Sequence, residues 1–131
     1  MGQIGASLST HANATRFAID PDRQLVTVKF GKKVTADDIA RYATQLRAHP
    51  SFQPTFSEIA DLRDIEEMDL QAEEFLRLAD KVDPFAYEAK RAFVVRTSVQ
   101  AHAARMHKVL RTQRSFEIFH SPEEAEQWIG N

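Results

Sequence analysis

Five carboxylates crowd one short stretch of the chain: Asp61, Asp64, Glu66, Glu67 and Asp69. Oxygen ligands at such density could hold a hard cation such as Mg²⁺. Arg63 sits inside the cluster, however, Asp69 stands where a helix cap is needed, and no fixed ligand spacing is present, so the stretch reads as a solvated loop rather than a metal site. The five histidines, His11, His49, His102, His107 and His120, include no pair at the i, i+4 spacing that lets two imidazoles share a metal from one helix. Each reads as a surface or loop residue. Ser98 lies near Arg96 and His102, on paper a nucleophile with a base. The Gly-x-Ser-x-Gly elbow is missing, and a helix cap at Thr97 or Ser98 is a sufficient role. The four glycines form no phosphate-cradling pattern, and the absence of cysteine excludes thiolate chemistry and disulfides. The reading is of a chain without an assembled catalytic site, metal or cofactor, and without an obvious buried titratable pair.

Two other groups of residues invite binding rather than catalysis. Arg105, His107, Lys108 and Arg111, continued by Arg114, make the one local basic feature, and it suits an acidic partner or a lipid head group. Phe85 and Tyr87 stand in the Pro84–Lys90 connection instead of on a periodic buried face, which makes them candidates to border a pocket or a dimer surface.

The elements that must position these residues follow from periodicity. Thr15 to Asp20, a turn at Pro21, Asp22 and Arg23, and Leu25 to Phe30 predict a β-hairpin with Val26, Val28 and Phe30 buried. Thr35 caps a helix through Ile39, Tyr42, Ala43 and Leu46 to about Ala48, stopped by Pro50. Phe56 to Leu62 is a mostly apolar strand. Asp69 then caps a second helix with Ala72, Phe75, Leu76, Ala79 and Val82 inward, closed by Pro84. Ala92 to Val95 reads as a strand covered on both faces. A helix follows with Val99, Ala103, Met106 and Leu110 inward, then a strand over Phe116 to Phe119. Ser121, Pro122, Glu123 and Glu124 form a capping box with proline at the first helical position, leading into Ala125, Trp128 and Ile129. The order ββαβαβαβα implies one α/β domain with a mostly parallel sheet and an antiparallel edge.

Composition agrees. In 131 residues, a hydrophobic fraction of 43% and a charged fraction of 27% predict one packed domain, over residues 15–130, behind a small, polar lead-in at residues 1–14 that reads as flexible. The net charge of −2 offers no global field to attract nucleic acid. No apolar run is long enough to span a bilayer and Met1 to Thr10 lacks a signal-peptide pattern, which predicts a cytoplasmic protein without integral membrane association.

Several segments resemble the SpoIIAA-like family, relatives of the STAS and Sec14-like domains. They are Leu25 to Phe30 with Val34-Thr35-Ala36-Asp37-Asp38, Ile59-Ala60-Asp61-Leu62-Arg63, Arg91-Ala92-Phe93-Val94-Val95, and Phe116-Glu117-Ile118-Phe119 with Ser121 to Ile129. The resemblance implies a non-enzymatic module acting through protein contacts, self-association as a homodimer included. In the related anti-sigma-factor antagonists a phosphorylatable serine opens the helix after the third strand. Here that junction reads Ile65-Glu66-Glu67-Met68-Asp69-Leu70-Gln71, without Ser or Thr, so the phosphorylation switch does not carry over. The surface to expect is the rim at the strand C-termini, Arg63, Asp64, Arg96, Thr97 and Ser98, with Arg105 beside it. The Sec14-like kinship implies the alternative of a carrier or sensor of a small hydrophobic or lipid-like ligand, lined by Phe85, Tyr87 and Met106.

Overall fold

The computed structural model describes residues 15–69, 82–111 and 115–130. The opening hairpin is β1 (Arg16–Asp20) and β2 (Leu25–Lys29), paired antiparallel across a turn in which Gln24 alone takes a positive φ, 52°. Strands β4 (Ser57–Asp61), β6 (Lys90–Val94) and β7 (Ser115–Phe119) add to it in parallel, giving a five-stranded sheet of order β1-β2-β4-β6-β7. The antiparallel edge and parallel body are as the periodicity predicts. Helix α1 (Ala36–Ala48) starts in a full capping box: Thr35 Oγ1 accepts from the Asp38 amide and Asp38 accepts from the Thr35 amide. Helix α2 spans Ser98–Arg111 and α3 spans Pro122–Gly130, the latter capped by Ser121 as expected.

Two features depart from the sequence expectations. The acidic stretch is not all loop: β5 (Glu67–Asp69) pairs in parallel with β3 (Lys33–Thr35) as a two-stranded sheet. Asp69 therefore ends a strand beside Thr35, and the helix expected after it lies outside the described residues from 70 to 81. Second, α2 is rotated from its predicted face. Val99 is 70% exposed, whereas Gln100 and Ala104 are buried. The cause is local. Thr97 Oγ1 accepts from the Gln100 amide, and the Gln100 carboxamide accepts from the amides of Arg96 and Thr97 while donating to the carbonyls of Arg63 and Ile65. A polar side chain that satisfies four backbone groups wins the buried position from an apolar neighbour. The lead-in at residues 1–14, expected to be flexible, lies outside the described residues.

The sheet buries a different core on each face. On one side Val26, Val28, Ala60, Leu62, Phe93, Val95 and Phe116 meet Tyr42 and Leu46 of α1 and Ala104 of α2. On the other, Leu25, Ile59, Ala92 and Val94 meet Ala125 of α3, with Phe119, Trp128 and Ile129 at the margin.

Candidate binding site

Strand alternation puts Glu58 on the same face as Ala60 and Leu62, and Arg91 on the same face as Phe93 and Val95. The register of β4 and β6 sets Glu58 directly opposite Arg91, so two opposite charges enter the first core side by side. Arg91 Nε donates to Glu58 Oε1 at 2.8 Å, and Arg91 Nη1 donates to Asp83 Oδ2 at 2.8 Å. The three side chains are 3–4% exposed. From α1, the Tyr42 hydroxyl donates to Glu58 Oε2 at 2.7 Å. Asp83 Oδ1 also accepts from the Phe85 amide, and the Phe85 ring lies 4.3 Å from the Arg91 guanidinium carbon.

His107 of α2 completes the group. Its ring packs on Phe93 and Phe116, with Nε2 3.5 Å from Asp83 Oδ2. That nitrogen is buried and makes no hydrogen bond among the described residues. Phe30, Tyr42, Phe85, Phe93, Ala103 and His107 line a cavity of about 100 Å³, with Glu58, Asp83 and Arg91 in its wall.

The surroundings shift three of these groups, Asp83, Arg91 and Tyr42. Burial opposes ionisation of Asp83, but the Arg91 guanidinium and the His107 imidazole overcome it and hold the carboxyl well below the usual range. Burial works against the Arg91 charge too, and Glu58 and Asp83 more than offset it, raising its pKa. Tyr42 is pushed well above the ordinary phenol range by burial and by the Glu58 carboxylate. Asp83 thus stays ionised and Tyr42 protonated across the neutral range, which suits fixed recognition rather than proton transfer, for which a pKa near the working pH is best.

No known family profile matches the chain, and no curated protein matches it. Among solved structures it is similar to an uncharacterised protein of the DUF3478 family with a SpoIIAA-like fold from Shewanella loihica PV-4, with a TM-score of 0.64 over 88% of this chain and 93% of that one. The fold is SpoIIAA-like. At 19% identity the likeness concerns the fold and not the site.

Within the SpoIIAA-like framework the rim residues are drawn together largely by one another. Arg63 is forked onto Asp61, with Nε and Nη2 donating at 3.0 and 2.9 Å, and its carbonyl accepts from the Arg96 guanidinium. Asp64 Oδ2 stands 3.5 Å from Lys29 Nζ, and Glu67 faces Lys33 at 3.8 Å. Asp61, Asp64 and Glu67 of the acidic cluster are therefore met by cations of their own chain. Thr97 is the cap of α2, with Ser98 and Arg105 exposed on that helix. Of the expected pocket residues, Phe85 lines the cavity, whereas Tyr87 is 55% exposed and neither it nor the half-buried Met106 lines it. Among the described residues no helix is long and apolar enough to cross a membrane.

Glu58, Arg91, Asp83 and His107 correct two sequence expectations. A buried set of titratable groups exists where none was evident, and His107 belongs to its wall rather than to the surface. Glu58 and Arg91 were visible as charges on the parity of the buried side chains, each in a strand that carries a second charge, Asp61 and Lys90, on the opposite parity. Strand register, which joins them, was not.

Proposed function

We propose that this chain is a non-enzymatic binding module for a small, mainly apolar molecule with a polar end. The observation that carries this is the cavity of about 100 Å³ with aromatic walls and a hydrogen-bonded Glu58–Arg91–Asp83 group set into them. Apolar walls with a few convergent polar groups are the usual form of a small-molecule site. A buried ion pair is also rarely the best solution for stability, because apolar residues of like volume often serve as well or better. The cavity is smaller than a typical site and below the roughly 150 Å³ that takes up benzene. The buried part of the ligand is correspondingly about four or five non-hydrogen atoms.

The regulatory reading through protein contacts has one observation in its favour: Arg105 and Ser98 stay exposed on α2, the helix that also carries His107 into the cavity. Occupancy of the cavity would thereby be felt on a surface a partner can touch.

Native mass spectrometry of the protein purified gently from its own cells tests the proposal. The expected result is a non-covalent small-molecule adduct that disappears in Ala103→Leu, whose larger side chain occupies the cavity. Protein that carries no adduct and takes up no compound from a fragment library overturns it.

A further inference from the structure

Resting on the small-molecule reading above, the arrangement of His107 and Asp83 identifies the polar end of the ligand. We infer that it is a hydroxyl group, seated between His107 Nε2 and the Asp83 carboxylate. His107 Nε2 is a buried polar atom in the cavity wall with no hydrogen bond among the described residues. A native interior rarely leaves such an atom without a partner. It stands 3.5 Å from Asp83 Oδ2, beyond a good hydrogen bond, so the imidazole and the carboxylate face one another without satisfying the nitrogen.

A hydroxyl both donates and accepts, which suits either tautomer of the imidazole. Where Nε2 carries a proton, the ligand oxygen accepts it and directs its own proton to Asp83. Where Nε2 is bare, the hydroxyl donates to it. A carboxylate ligand cannot do the second, and it would enter a wall that already holds two carboxylates, Glu58 and Asp83, the latter directly at the proposed seat. An ammonium group would crowd that guanidinium, since Arg91 Nη1 lies 2.8 Å from the same Asp83 oxygen that His107 faces, and it would lose its hydration among aromatic walls. A neutral hydroxyl meets neither charge penalty. The apolar remainder of the ligand would lie against Phe30, Phe85 and Phe93.

The test titrates the full-length protein with four probes of matched size, 1-butanol, 1-chlorobutane, butyrate and butylamine, followed by ¹H–¹⁵N NMR shifts. Butanol is expected to bind roughly fivefold more tightly than chlorobutane, the factor one hydrogen bond supplies, and roughly tenfold or more tightly than butyrate. In His107→Phe, which keeps a ring against Phe93 and Phe116, the preference for butanol over chlorobutane should fall, and in the double variant His107→Phe, Asp83→Asn it should fall further. Equal affinities for butanol and chlorobutane in the wild type, or tightest binding of butylamine or butyrate, overturn the hydroxyl assignment while leaving the pocket in place. Binding of none of the four overturns the pocket reading itself, and the assignment with it.

Discussion

The two faces of the same sheet are built to different rules. Toward α3, Leu25, Ile59, Ala92 and Val94 close on Ala125, and the charges on this face, Asp61 with Arg63 and Lys90 on the Trp128 carbonyl, stand around that cluster. Toward α1 and α2 the core is larger, yet it admits Glu58 and Arg91 from two adjacent central strands and leaves a cavity beside them. A strand has one backbone and two faces, so neighbouring residues of β4 and β6 do different things: Ile59 and Ala92 pack, while Glu58 and Arg91 form a buried ion pair.

The comparison can be broken most sharply at Arg91. Arg91→Met leaves two buried carboxylates without their counter-charge and should lower unfolding free energy by about 4 kcal/mol in urea titrations. Adding Glu58→Gln and Asp83→Asn should restore at least about 1 kcal/mol of that, because the loss comes from uncompensated charge and not from lost volume. On the packing face, Leu25→Ala should cost about 3 kcal/mol through transfer and cavity terms, with no change in ligand uptake. A fall in uptake would show that the two faces are not independent.

Acid should distinguish the faces as well. Asp83 has a lowered pKa in the folded chain, so its contribution is fully present above the unfolded carboxylate value of about 3.9 and is lost as pH falls below it toward the folded value. The stability gap between wild type and Asp83→Asn should accordingly be constant from pH 7 to about 5 and narrow below about 4. A gap that holds constant to pH 3 would mean that Asp83 is not held ionised by Arg91. Smallest is the effect of removing one hydroxyl: Tyr42→Phe leaves Glu58 short of a buried partner and should cost about 1–2 kcal/mol in the same urea assay.

Much of the architecture was legible because local signals and tertiary need coincide. Thr35 and Ser121 cap their helices in the structure as their spacing predicts, and the alternation of Val26 with Val28 orients the hairpin. The rotation of α2 was hidden, because Gln100 is buried by four backbone partners that come from β4's following loop and from the turn after β6. The short β3–β5 sheet was hidden for a similar reason, since three residues of Lys33–Thr35 gain strand geometry only by meeting Glu67–Asp69. The site was the least legible part. Its polar members come from α1, β4, the segment before β6, β6 itself and α2, and a charge in a strand looks the same in sequence whether its neighbour across the sheet is an aliphatic or a guanidinium.

The proposal that the α1–α2 face encloses an apolar cavity able to take a ligand, whereas Ala125 under α3 is tightly packed, is tested most directly with xenon, which enters apolar cavities. NMR of the protein under xenon pressure should show saturable shifts at Phe30, Phe93 and Ala103, none around Ala125, and loss of the effect in Ala103→Leu together with a stability gain of about 1 kcal/mol. Xenon shifts spread equally over both faces, or absent from the first, would contradict the account.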